Sequence, residues 1–256
     1  MKISVLISNF NKYIYLKKTL KNIVNQNFRD YEIILFDDQS NDKSIDLIKK
    51  YKKIKLIINK KKKNPFSPML NQINAVHEAF KKSKGDVICL MDADDFFFKN
   101  KISYVNNFFQ RNIDSNFLVN TPKTFGTFFK YKNKNSTKHI WPTIFPTSCI
   151  SARRIFFSKF FKYSLSNKFE NLAIDARLNI FAKYYYNDYN ILKKKLNSYT
   201  IDQKGNWSKY NHLSINWWIS RNEAFEYLKY ILKLRKIRFK KSSDYYLTKF
   251  VNLFIF

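Results

Sequence analysis

Two short acidic clusters stand out in a chain that has few acids. Asp37-Asp38 and Asp92-Ala93-Asp94-Asp95 hold five of its 19 Asp and Glu residues. Each follows an apolar run, Ile33-Ile34-Leu35-Phe36 in one case and Val87-Ile88-Cys89-Leu90-Met91 in the other. Carboxylates placed together repel one another unless a cation sits among them. A lysine could be that cation, and an Asp-x-Asp pair of hard oxygen donors equally suits a divalent ion such as Mg2+ or Mn2+. Aspartates after a strand also form turns and cap helices, which is the ordinary reading of either cluster alone. Both clusters following strands of one sheet favour a shared functional site. An EF-hand is excluded for Asp92-Ala93-Asp94, because the sixth loop position would be Phe97 and the twelfth Ser103, where glycine and glutamate are needed. A phosphatase-type aspartyl nucleophile would leave Asp37-Asp38 and Asn9-Phe10-Asn11 without a role. His77, His139 and His212 have no metal-ligand spacing, and His77, on a helical pattern, is expected to be structural. Cys89 and Cys149 are too few for a disulfide framework, and Cys89 in its apolar run reads as a small buried thiol in a reducing compartment.

The elements that must position these residues alternate. Residues 3–8 read as a strand, and Leu16, Leu20, Ile23 and Val24 mark one face of a helix. Residues 32–36 form a second strand, 44–51 a helix, 55–59 a third strand, 69–83 a helix and 87–91 a fourth strand. Strands separated by helices imply right-handed crossovers and a mostly parallel sheet. In such a sheet both acidic clusters fall at the carboxyl edge, where ligands of open α/β sheets bind. The second half is less regular. Residues 101–109 and 171–185 read as helices, 116–121 and 191–199 as strands, and 125–135 as a basic aromatic stretch without clear period. Helical spacing returns from Glu223 through Phe225, Leu228, Ile231 and Leu232.

The 256 residues include 48 Lys+Arg, giving a formal net charge of +29, yet 45% are hydrophobic, with 26 Phe and 17 Tyr. A disordered basic tail is excluded by that much apolar material. Only eight of the 48 basic residues are Arg, and Lys, Asn, Ile, Phe and Tyr abound beside three Gly, the bias of an AT-rich coding sequence. Charge alone therefore does not favour a nucleic-acid partner. The longest stretch free of Lys, Arg, Asp and Glu, 139–152, is too short for a membrane span and holds Pro142 and Pro146. The apolar run after Lys2 is ended by Asn9, Asn11 and Lys12 with no small-residue cleavage site, so a cytoplasmic protein is expected.

Four ordered segments carry a resemblance: Ser4-Val5-Leu6-Ile7-Ser8-Asn9-Phe10-Asn11; Tyr15-Leu16 with Leu20 and Gln26; Tyr31-Glu32-Ile33-Ile34-Leu35-Phe36-Asp37-Asp38-Gln39-Ser40-Asn41-Asp42; and Gly85-Asp86-Val87-Ile88-Cys89-Leu90-Met91-Asp92-Ala93-Asp94-Asp95. Together they resemble the N-terminal half of the family 2 glycosyltransferases of the GT-A fold, over about residues 1–100. Thr147-Ser148-Cys149-Ile150-Ser151-Ala152-Arg153-Arg154 and Gly205-Asn206-Trp207-Ser208 are similar to weaker downstream features. The resemblance implies an α/β fold with a mostly parallel central sheet flanked by helices. It also implies inverting transfer of a sugar from a nucleotide-sugar, UDP-linked, to a glycan or lipid-linked acceptor in cell-surface polysaccharide synthesis.

By the same resemblance, Ser8 and Phe10 line the nucleoside site, Asp38 contacts the base, Asp92 lies near the ribose or diphosphate, and Asp94 with Asp92 holds Mn2+ or Mg2+. Carboxylates suit these positions because they accept hydrogen bonds from a uracil N–H or a ribose diol. A divalent ion suits a reaction that expels a diphosphate, since it stabilises the developing charge. Inversion needs a base for the acceptor hydroxyl. The family's Glu-Asp pair is best matched by Asp175, with Ile174 in place of the Glu; a second register offers Glu170, with Asn171 in place of the base. Tyr199-Thr200-Ile201-Asp202 stands where a Tyr-Arg-x-His element is often found, which leaves phosphate contacts to Lys204 or another cation. Arg153 and Arg154 are read either as acceptor contacts or as an exposed rim.

The layout expected is a GT-A domain over 1–220, with a nucleotide-binding half 1–100 and an acceptor half 101–220. A basic amphipathic extension follows over 221–256, suited either to an anionic membrane surface at the inner face of the cell membrane or to covering the core. A nonenzymatic polyanion-binding protein and an inactive donor-binding homologue are the rival readings.

Overall fold

The computed structural model describes residues 1–61, 64, 67–125, 140–165, 167–200 and 210–255. Gly205-Asn206-Trp207-Ser208, Lys204, His139 and residues 126–135 of the basic aromatic stretch lie outside the described residues. Among the described residues eight strands form one sheet: β1 (Ile3–Asn9), β2 (Tyr31–Asp37), β3 (Ile54–Ile58), β4 (Val87–Asp92), β5 (Phe96–Phe97), β6 (Phe117–Phe125), β7 (Ile150–Arg153) and β8 (Asn190–Thr200), in the order β3-β2-β1-β4-β7-β6-β8-β5. β3, β2, β1 and β4 are parallel, as their alternation with helices requires. β7 pairs antiparallel with β4 and with β6, and β6 pairs parallel with β8, so the sheet as a whole is mixed.

The middles of β1, β2 and β4 are unbroken apolar runs because both faces of the sheet are covered. Alternate side chains sort into two cores: Val5 and Ile7 on one face with Leu16 and Leu20 of α1 (Tyr13–Ile23), and Leu6 on the other with Leu70 and Ile73 of α3 (Pro68–Lys81). α2 (Ser44–Lys49) and α4 (Lys101–Arg111) complete the first face. α5 (Arg154–Ser164), α6 (Ile174–Phe181) and α7 (Ile215–Leu234) complete the second, and α8 (Ser243–Asn252) packs on α7. The abundant phenylalanines gather here: Phe156, Phe157, Phe160, Phe161 and Phe181 form a chain of tilted and edge-on rings.

The helix expected over 171–185 is α6 followed by a wider turn at Ala182–Tyr186. α7 begins well before Glu223 and runs through residue 220 without a break, and its Tyr227, Leu228 and Ile231 belong to the second core. α8 is separated from α7 by a bend in which Lys236 takes a left-handed φ of 57°. α5 and β7 have no counterpart in the sequence reading, although the Phe156-Phe157 and Phe160-Phe161 pairs of α5 recur at helical spacing on its buried face. The His77 ring lies 4.7 Å from that of Phe161, and Cys89 and Cys149 are buried and free.

Candidate active site

Parallel pairing brings the two acidic clusters to one sheet edge, with Asn9 of β1 opposite Asp37 and Ser8 opposite Asp92. The turn after β2 divides its two aspartates. Asp37, fully buried, accepts from Asn9 Nδ2 at 2.7 Å and from the backbone N and Oγ of Ser40, each at 2.8 Å. It ties the ends of β1 and β2 together and is spent on structure. Asp38 is anchored by its N–H on the Asn9 carbonyl, and its Oδ1 accepts from Asn59 Nδ2 at 2.6 Å. Ser8 is half-buried beside them, and Phe10 is 48% exposed.

The second cluster surrounds the end of β4. Asp92 accepts from Gln72 Nε2 of α3 at 2.8 Å, and its N–H donates to Ser148 Oγ. Asp94 is ion-paired with Lys12 Nζ at 2.7 Å. Asp95, 1% exposed, accepts from the Thr200 N–H through Oδ1, while its buried Oδ2 has no hydrogen-bond partner among the described residues. Burial, and then the neighbouring carboxylates, push Asp92 well above the usual carboxylate range and Asp95 up to about 7. Behind them the fully buried Lys101 donates to the Ser148 carbonyl and lies 4.0 Å from the centre of the Phe97 ring; burial drives it down to about 8. Lys101, Ser148 and the Asp92 N–H thus form one buried relay that fixes the end of β4.

Asp175 stands in the first turn of α6, accepting from the Ala176 N–H at 2.7 Å. A helix N-terminus favours its anion, but burial outweighs this and raises it to about 6. Asp175 bears electrostatically on Asp92, and Tyr199, at the end of β8, feels Asp175, Asp92, Asp95 and Asp94 together. These electrostatic couplings place the four carboxylates and the Tyr199 phenol in one neighbourhood at this end of the sheet. Glu170 is exposed, and its neighbour Asn171 is held by Glu223 through both its N–H and its side-chain amide. The loop between α5 and α6 is clamped from beneath by the buried Arg177, which donates to the carbonyls of Ser164, Phe169 and Leu172.

Arg153 and Arg154 are neither acceptor contacts nor a rim. Val87, the first residue of β4, pairs with Arg153, so both arginines sit at the opposite edge of the sheet. Arg153 donates to the carbonyls of Ser115 and Phe109, and Arg154 to the carbonyl of Gly85 and to Ser83 Oγ. Sequence reasoning also missed Lys12, Gln72, Lys101, Ser148 and Thr200. Only Lys101 had a usable signal, a lysine at the start of an apolar helical face.

Among the described residues no group of three or more His, Cys, Asp or Glu side chains could hold a metal ion unaided. The available donors, Asp92 and Asp94, are oxygens only, and with the unsatisfied Asp95 Oδ2 they fit a hard divalent ion whose remaining ligands come from elsewhere.

Parallel strands ending in aspartates, continued by a mixed second half that brings a helix-borne carboxylate across from them, define a GT-A glycosyltransferase architecture. Staphylococcus aureus TarS in complex with UDP-GlcNAc has this fold at a TM-score of 0.63 and 18% identity, covering 97% of this chain and 79% of that one. The mannosyltransferase PcManGT from Pyrobaculum calidifontis, in complex with GDP-Man and Mn2+, does so at 0.65 and 9% identity, covering 99% and 69%. The chain belongs to glycosyl transferase family 2, whose model matches residues 4–222. A Campylobacter jejuni relative, GalNAc(5)-diNAcBac-PP-undecaprenol beta-1,3-glucosyltransferase, is 34% identical over 98 residues, 37% of this chain and 30% of its own length.

Proposed function

We propose that this protein is an inverting glycosyltransferase that moves a sugar from a UDP-linked donor to a glycan or lipid-linked acceptor in cell-surface polysaccharide synthesis. The observation that carries the reading is the electrostatic coupling of Asp94 and Asp175 to Asp92 at the end of β4, with Asp38 farther along the same sheet edge. In this reading Phe10 stacks on the base, Ser8 lines the nucleoside site, Asp38 accepts a hydrogen bond from the base, and Asp92 lies by the ribose and diphosphate. Asp94 and Asp92 would hold Mn2+ or Mg2+, which when bound stabilises the charge of the departing diphosphate. Asp175 is ionised at neutral pH but more basic than an ordinary aspartate. It takes the proton of the acceptor hydroxyl as that oxygen attacks C1 of the sugar and the C1–O bond to the diphosphate breaks. The donor in TarS, the Mn2+ in PcManGT and the undecaprenol-linked acceptor of the Campylobacter relative support the donor, metal and acceptor classes in turn.

No helix among the described residues is long and apolar enough to cross a membrane. A cytoplasmic enzyme working peripherally at the inner face of the cell membrane agrees with a lipid-linked acceptor. The test is a donor panel of UDP-, GDP- and dTDP-sugars, followed by thermal shift and donor hydrolysis with and without Mn2+. A metal-dependent response to a UDP-sugar is expected; folded protein that answers to no donor would sink the reading.

A further inference from the structure

We propose that α8 and the turn after it form a docking surface for a bilayer containing anionic lipid. Tyr246, Leu247, Phe250, Leu253 and Phe254 are each more than half exposed. At about 100° per residue they fall within an arc of roughly 120°. The opposite arc, Tyr245, Thr248 and Asn252, is buried, and Asn252 Nδ2 fastens the helix to the Trp218 carbonyl of α7 at 3.1 Å. The outward residues are no accident of fraying: the rings of Phe250 and Phe254 meet edge to face at 5.2 Å, forming a continuous apolar patch.

Charge decides what the patch is for. Lys236, Arg238, Lys240 and Lys241, on the bend leading into α8, are exposed and have no ion pair among the described residues. Lys241 Nζ lies 5.8 Å from the Tyr246 ring, which places cationic charge at the border of the patch. The nearby carboxylates are already paired with cations. Asp244 accepts from Arg221 and Trp141, and Glu226 is held by Lys229 and Lys249. A second copy of this face would leave the basic bend without an anionic partner, since its own nearby carboxylates are already paired. An anionic bilayer accepts both halves, burying the apolar residues below the headgroups and placing the lysines among phosphates. α7, to which α8 is fastened, also carries Glu223, which holds Asn171 in the loop leading to Asp175. The docking surface stands without the transferase reading; only its consequence, delivery of a lipid-linked acceptor to that loop, rests on it.

The test is flotation of the full chain with vesicles of phosphatidylcholine alone and of phosphatidylcholine with phosphatidylglycerol, near 0.1 M salt. Binding is expected only with phosphatidylglycerol. F250S/F254S should weaken it at least tenfold, and K240E/K241E about 30-fold or more. K49E/K50E makes the same charge change on α2 and should lose far less. All substituted residues lie outside the buried arc, so unchanged melting temperatures verify that the fold is intact. Failure to bind phosphatidylglycerol vesicles would overturn the proposal. So would equal losses in K240E/K241E and K49E/K50E, which would assign the binding to net charge, or a concentration-dependent oligomer that F250S/F254S abolishes, which would assign the patch to a second copy.

Discussion

Asp175 has two measurable consequences that pull against each other. Its folded value of about 6 lies above the ordinary 3.8, so ionising it costs the folded state free energy. That cost is absent below about pH 3.8, grows as the pH rises and is complete above about pH 6. Asp175→Asn should therefore abolish transfer with donor binding retained, yet stabilise the fold at pH 7 by about 1–3 kcal/mol in urea unfolding. Transfer that persists in this variant would place the base elsewhere. In the wild-type protein the rate of transfer should rise through about pH 6 and level off above it, and a profile flat across that range would contradict the assignment. Lys12 makes a separate prediction, because its ammonium covers Asp94 at 2.7 Å. Lys12→Met should tighten Mn2+ binding about fivefold by electron paramagnetic resonance of the free ion. Lys17→Met, the same charge change on the exposed side of α1, should do little; equal effects of the two would show that the ion pair is irrelevant.

Among the elements, β4 is entered through a close approach to β1. Gly85 lies so close to β1 that a Cβ there would stand 2.5 Å from the Ser4 backbone nitrogen, and its own N–H donates to Ser4 Oγ at 2.8 Å. The obstacle is backbone and cannot turn aside. Gly85→Ala should cost about 2 kcal/mol or more by forcing β1 and β4 apart at the edge opposite the site. A melting temperature unchanged from the wild type would show that the strands yield freely. The regular alternation of β1 to β4 with α1 to α3 was legible in the sequence, because each buried strand is a run of apolar residues and each helix an amphipathic repeat. α5 carried a signal too, since its Phe156-Phe157 and Phe160-Phe161 pairs recur at helical spacing. β7 did not: four residues are too few to show an alternation, and only pairing with β4 and β6 turns Ile150–Arg153 into a strand.

At the scale of the molecule, a net charge of +29 repels itself in the compact state more than in the expanded one. Raising the salt from about 0.01 to about 0.15 M shortens the screening length from about 30 to about 8 Å. The melting temperature should then rise by a few degrees, roughly 2–4 °C per kcal/mol recovered. A melting temperature that stays level or falls would mean that the lysines are already compensated in the native fold.

The residues alone determined that Asp38, Asp92 and Asp94 share an edge, because their strands are apolar runs joined by helices and such strands must be parallel. They could not determine which partners hold each aspartate. Asp37 and Asp38 are adjacent and chemically identical, and only the turn geometry spends one on Asn9 and Ser40. Nor could spacing bring Lys12, Gln72, Lys101, Ser148 and Thr200 to the Asp92-Ala93-Asp94-Asp95 segment. They come from five separate segments, and long-range packing alone sets which side chains meet. The same packing buries Asp175 and Asp95 enough to change their acidity, a property of surroundings that sequence does not carry.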